Sequence, residues 1–264
     1  MNAAALETPA RAIRIAPMPV STRAATAPIG QIKTLCSTCH LKDLCLPCGL
    51  TGPEVERLDN LMFARRKVAM GETLFHEGDK FQFVYAVRAG TFKSSLTLAD
   101  GREQVSGFHL TGELIGLDAL ATGKHASTSI ALEDTEVCAI PYAHLSDLAS
   151  HSSNLQMVLA RLMSQEIVRE HTLMMLLGSM NAEERLAAFL LNLSHRMKAR
   201  GYSAREFHLR MSRAEIGSYL GMKLETVSRT FSAFQAQRLL EVDKKHIRIT
   251  DLEGLQRAFE ARVQ

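Results

Sequence analysis

Between Gly71 and Gly123 eight glycines recur every 4 to 12 residues, whereas from Ser152 to Leu177 there is neither glycine nor proline. The first stretch is punctuated like tightly turned antiparallel β-structure, the second like one uninterrupted helix. Apolar segments lie between the glycines, as in Thr73-Leu74-Phe75, Phe83 to Val87 and Ser94 to Leu98, and predict the strands of a small β-roll. The fold class that follows is α+β: an antiparallel roll, then helices, rather than alternating βαβ units.

Five segments are expected: a flexible tail over 1–34, a cysteine-rich arm over 35–50, the roll over 51–150, a long helix over 151–178 and a helical C-terminal domain over 179–264. At 264 residues the chain is long enough for two domains of the usual size, about 150 residues each, so its core needs no disulfide staples. No run of 18 apolar residues occurs, so no membrane-spanning helix is expected. The first 30 residues lack the apolar core of a secretory signal, which points to a reducing, cytoplasmic setting.

The long helix carries two sets of apolar residues. Leu155, Leu162, Leu173 and Leu177 are expected to pack on the roll. Met163, Ile167, Glu170 and Met174, at intervals of 4, 3 and 4, form a coiled-coil seam suited to an identical helix, hence a homodimer. Glu170 places one charge in that seam, where two copies would repel and leave pairing marginal.

Net charge is only +3, but residues 181–264 hold 15 Lys and Arg against 10 Asp and Glu, while residues 1–180 hold 16 against 18. A mildly acidic body joined to a basic end is the electrostatic arrangement of a polyanion-binding module. Within that end, Asn181 and Glu184 cap one helix, and Ser212 and Glu215 form a capping box on another that stops at Gly221. A further helix runs from Leu224 to Gln237, and a hairpin from Leu239 to Thr250 turns near Asp243-Lys244-Lys245. This is the spacing of a winged helix-turn-helix. Leu224, Val227, Phe231 and Phe234 form the expected buried stripe, leaving Glu225, Ser228 and Arg229 to read base edges in a major groove. An exposed Glu225/Arg229 ion pair on an ordinary helix is the bland alternative, and the register of box, turn and wing argues against it.

Four of five cysteines, Cys36, Cys39, Cys45 and Cys48, fall within 13 residues, and Cys138 stands ninety residues beyond. Clustered thiols in a reducing compartment bind metal or do redox chemistry more often than they form disulfides. The spacing alone leaves a four-thiolate zinc knuckle and an iron–sulfur cluster both open. Cys138 on its own reads as a small buried hydrophobe, and His40 as an exposed loop residue.

From Leu35 to the C-terminus the chain resembles the oxygen-responsive FNR-type regulators within the cyclic-AMP receptor-like transcription factors. The resemblance is carried by Cys36-Ser37-Thr38-Cys39 with Cys45-Leu46-Pro47, by Gly107-Phe108-His109-Leu110 and by Val137-Cys138-Ala139-Ile140-Pro141. It continues in Asn181-Ala182-Glu183-Glu184-Arg185-Leu186-Ala187-Ala188-Phe189 and Glu225-Thr226-Val227-Ser228-Arg229. It implies that Cys36, Cys39, Cys45 and Cys138 hold an oxygen-labile [4Fe-4S] cluster, with Cys48 a fifth thiol outside the ligand set. It also implies a dimer along Met163, Ile167, Glu170 and Met174, double-stranded DNA with palindromic TTGAT-N4-ATCAA-like sites, and RNA polymerase as a partner.

The alternatives are a zinc-stabilised DNA-binding regulator and a cyclic-nucleotide-responsive factor of the same family. A nucleotide phosphate needs a fixed cation, and the receptor-like pattern expects Arg where Ala126 stands. No Gly-rich phosphate loop, nucleophile elbow or H-E-x-x-H occurs, so an enzyme is not expected.

Overall fold

The computed structural model describes residues 35–61 and 64–260, so the expected tail over 1–34 lies outside the described residues. The arm, residues 35–50, is a run of tight turns leading into α1 (Gly52–Asp59). The roll comprises β1 (Ala64–Val68), β2 (Thr73–Phe75), β3 (Phe83–Ala89), β4 (Thr91–Thr97), β5 (Glu103–Leu110), β6 (Leu114–Ile115), β7 (Thr128–Ala131) and β8 (Thr135–Pro141). These form two antiparallel four-stranded sheets, ordered β1-β8-β3-β6 and β2-β7-β4-β5. Val68, Phe75, Val87, Phe92, Val137 and Ala139 fill the space between them.

The outer face of the first sheet is also buried. Strand alternation turns Val137 and Ala139 inward and therefore Cys138 and Ile140 outward. That outer face meets Leu46 of the arm, Leu58 of α1, Leu145 of α2 (Tyr142–Ser150) and Leu155 and Val158 of α3 (Ser153–Ser179). The segment 51–150 is thus not all sheet: α1 and α2 are too short and too polar for their periodicity to stand out in the sequence.

The long helix ends within one residue of its expected end, continuing through Gly178 to Ser179 before Met180 leaves it at ψ 149°. A glycine in a last, exposed turn costs only about 1 kcal/mol, too little to break a helix of this length. Its two halves have different neighbours. Leu155 is buried and Leu162 half-buried against the first sheet, as expected, and Leu173 is buried, whereas Leu177 packs away from the roll. The C-terminal half of α3 instead contacts α4 (Ala182–Ala199) and α5 (Arg213–Leu220), with Leu177 against the turn at Gly221.

The C-terminal domain holds α4, β9 (Glu206–His208), α5, α6 (Leu224–Ala236), β10 (Leu240–Asp243), β11 (His246–Ile249) and α7 (Leu252–Glu260). The wing is a three-stranded sheet, β10-β11-β9, rather than a bare hairpin. Both expected caps form. Asn181 Oδ1 accepts from Glu184 N at 3.0 Å while Asn181 N donates to Glu184 Oε2 at 2.7 Å. In the same way Ser212 N donates to Glu215 Oε2 at 2.7 Å and Ser212 Oγ accepts from Glu215 N at 3.2 Å. This domain shares its core with the roll, because Val105, Phe108 and Leu110 of β5 pack among Leu186, Phe189, Leu190 and Leu220.

Candidate functional site: a thiol pocket and a helix facing outward

The arm is anchored by Leu41 and Leu46, both buried. Its two Cys-x-x-Cys pairs each close a turn: Cys39 N donates to Cys36 O at 3.1 Å and Cys48 N to Cys45 O at 2.9 Å. Asp59 at the end of α1 accepts from the amides of Cys36 and Ser37. Cys36, Cys39, Cys45 and Cys138 then line one apolar pocket with Leu41, Leu46, Ala86 and Ile140. Cys48 does not line it; it is half-buried, and its carbonyl accepts from Arg161 Nη2 of α3 at 2.5 Å. Cys138 is half-buried on β8, opposite Ala86 of β3 and Arg65 of β1. His40 is exposed.

No disulfide joins the described cysteines. Burial pushes the Cys36 thiol up, and neighbouring Cys45, Asp59 and Cys138 push it further. Burial likewise pushes Cys45 up to about 12, with Cys138, Cys39 and Cys48 adding to the effect. The pocket therefore disfavours bare thiolates and would hold several only around a compensating cation. The donor set is all sulfur, which selects soft metals. Among the described residues, no three His, Cys, Asp or Glu side chains converge on one metal-ion position. A single zinc needs four sulfurs about 2.3 Å from one point. Donors carried on separate metal atoms need no common point.

In α6, Val227, Phe231 and Phe234 are buried as expected, but Leu224 is 47% exposed. It opens the helix after Lys223, where no neighbouring element covers it, and Thr230 completes the buried stripe in its place. Glu225, Ser228 and Arg229 are all exposed on the opposite side. The turn before α6 uses Gly221 at φ +61° as the α5 C-cap, and Met222 N donates to Gly217 O at 2.8 Å. Gly217 also shapes this turn. A Cβ there would lie 2.5 Å from the Met222 carbonyl oxygen, so only glycine lets the turn close this tightly. Its signal was the Gly217-x3-Gly221 spacing across the turn.

On α3, Met163, Ile167, Glu170 and Met174 are exposed together, and Met157, Val168 and Met175 widen the stripe beyond the expected seam. Burial raises the Glu170 carboxyl, and Glu166 one turn away adds to it.

Residues that no sequence motif singles out join these regions. Gly112, at φ +90°, lies under the arm: a Cβ on it would stand 3.0 Å from Leu44 Cβ. The next residue, Glu113, is a largely buried carboxylate bonded to Arg196 Nη2 of α4 and to Nη2 of Arg200, the α4 C-cap, each at 2.6 Å, with Arg169 of α3 at 3.9 Å. Burial alone would raise this acid, but Arg196, Arg169 and Arg200 hold it down to about 2. One turn of the roll thus touches the arm, the long helix and the C-terminal domain.

Residues 184–258 match the model of the Crp-like helix-turn-helix domain, and residues 65–152 that of the cyclic nucleotide-binding domain. Over 220 residues, 83% of the chain, it is 47% identical to the transcriptional regulatory protein btr of Bordetella pertussis, spanning 91% of that protein. It is 44% identical over the same share to the fumarate and nitrate reduction regulatory protein of Escherichia coli, spanning 88% of it. The chain belongs to the CRP/FNR family of transcriptional regulators. Among solved structures of this CRP/FNR family, FixK2 from Bradyrhizobium japonicum superposes with a TM-score of 0.70 at 31% identity, covering 75% of this chain and 98% of that one. As a CRP/FNR regulator the chain is a DNA-binding protein and not an enzyme. Among the described residues no helix is long and apolar enough to cross a membrane.

Proposed function

We propose that this regulator is an oxygen-responsive, cytoplasmic transcription factor in which Cys36, Cys39, Cys45 and Cys138 hold a [4Fe-4S] cluster. The observation that carries this reading is that those four thiols, and not Cys48, line one pocket between the arm and β8. When bound, the group supplies an oxygen-labile core whose iron offsets the thiolate charge that burial otherwise disfavours. Asp59 and the buried Leu41 and Leu46 hold the arm over Cys138. Arg88 Nη1, 3.5 Å from Cys39 Sγ, adds a positive charge beside the sulfurs. The arm is tied to β8 when its thiols and Cys138 share one ligand, and it is free to leave when they do not.

Two protomers pair along Met163, Ile167, Glu170 and Met174, with Glu170 keeping the pair marginal. A dimer presents two α6 helices about 34 Å apart on one face of a duplex and so selects a palindrome. Arg229 reads guanine, Glu225 accepts from a base on the opposite strand and Ser228 completes a TTGAT-like half-site of a TTGAT-N4-ATCAA-like palindrome, with RNA polymerase recruited at the bound promoter. A few kcal/mol of difference in dimer preference between the tied and free arm is enough to switch occupancy.

Purification without oxygen, followed by iron and acid-labile sulfide analysis, tests the ligand set. Roughly equal iron and sulfide is expected. Stoichiometric zinc without sulfide would support the zinc-stabilised reading instead.

A further inference from the structure

The roll matches a cyclic nucleotide-binding domain, yet the loop before β7 has Ala126 where a phosphate-binding cation is expected. In the structure that loop is not empty of charge. Asp118 Oδ2 accepts three hydrogen bonds at once, from Ala126 N at 2.9 Å, Ser127 N at 3.0 Å and Ser127 Oγ at 2.9 Å. Its other oxygen lies 3.3 Å from His125 Nδ1. Two successive amides and a hydroxyl converging on one oxygen is the donor arrangement that binds anions. These bonds, with His125, hold the carboxyl below its ordinary range although burial works the other way.

Asp118 itself is exposed on its outer side, and the space on its inner side is closed. The His125 ring is buried and stacked on Phe75 with centroids 3.7 Å apart, and Phe81 packs against its edge. Gly116, at φ +95°, has no room for a side chain, because a Cβ would meet His125 Cε1 at 3.2 Å and Phe83 O at 3.3 Å.

We propose that Asp118 is a built-in anion that occupies the roll's phosphate cradle, and so is the residue that sets this chain's specificity against cyclic nucleotides and other phosphate esters. The donors of Ala126 and Ser127 are already satisfied, and an incoming phosphate would meet a fixed negative charge. The inference rests on the roll alone, so it stands or falls independently of the thiol reading.

The test is anion rescue in the full-length protein. Thermal melting of wild type, Asp118→Ala and Asp118→Asn is followed against inorganic phosphate, with calorimetric titration of cyclic AMP alongside. Asp118→Ala is expected to melt several degrees lower, because three donors lose their acceptor, and to recover at least half of that loss in phosphate. Asp118→Asn, which keeps the shape without the charge, is expected to respond to phosphate less than Asp118→Ala and more than wild type. Wild type is expected neither to respond to phosphate nor to give heat with cyclic AMP. Equal phosphate responses of all three proteins, or cyclic AMP binding to wild type as tight as to Asp118→Ala, would overturn the proposal.

Discussion

The helix that faces DNA and the pocket that gathers the thiols are built in opposite ways. The sequence signals that place α6 lie within about two dozen residues of chain: the Ser212/Glu215 box, the Gly217–Gly221 turn and the stripe of Val227, Phe231 and Phe234. The pocket joins Cys36, Cys39 and Cys45 to Cys138 only after the roll has folded and the arm has docked on β8. A locally coded element carries its signals in one stretch of chain, even though its buried stripe still packs into the core shared with α4 and β5. A site assembled from distant segments exists only while those segments stay together, which makes it suited to sensing and the helix suited to reading.

The comparison breaks most sharply at Cys138. If the pocket depends on its distant member, Cys138→Ala should lose nearly all bound iron and sulfide after anaerobic purification, whereas Cys48→Ser should retain them. Equal retention by both would show that the arm holds metal alone. Next in size is Glu113→Gln, which leaves Arg196, Arg200 and Arg169 facing a neutral group across three elements. Breaking one partner of such a buried network costs about 3–5 kcal/mol, readable by urea unfolding. The pH dependence has a definite sign. Because the folded-state carboxyl is depressed from 4.5 to about 2, its stabilisation is complete above about pH 4.5 and is lost as pH falls through about 2. Glu113→Gln should flatten the acid limb of the stability curve in that window.

Arg229→Ala sharpens the other side of the comparison. Loss of one bidentate guanine contact removes about 1–3 kcal/mol of discrimination, so preference for the operator over a scrambled duplex should fall roughly 5- to 150-fold while salt-dependent general binding persists. Unchanged preference would move base reading elsewhere. The smallest effect is expected at Glu170→Ala, which removes a like-charge contact from the seam and should raise the aerobic dimer fraction in sedimentation. No change would take charge repulsion out of the mechanism.

How far the sequence could be read follows the same division. The caps at Asn181 and Ser212, the turn at Gly221 and the exposure of Glu225, Ser228 and Arg229 follow from spacing within one or two helical turns. Leu224 does not, because its burial depends on whether another element covers the first turn of α6, and none does. Leu177 has the spacing of a core-facing stripe, but spacing cannot say which domain lies opposite. The third wing strand is a three-residue polar segment with one buried side chain, Phe207, too short to show alternation. Leu252, Leu255 and Phe259 do carry the helical spacing of α7, a signal that was there to be used. Glu113 was illegible for a deeper reason: its partners come from α3 and α4, and nothing in a Gly-Glu-Leu stretch names three arginines more than fifty residues away.

The most direct measurement is operator affinity of the anaerobically purified protein, recorded before and after exposure to air on one sample whose absorbance is followed throughout. The expected result is a coloured protein that binds the palindrome tightly as a dimer, then bleaches and loses that affinity together. A colourless protein that binds equally well before and after air would contradict a sensing role for the thiol pocket.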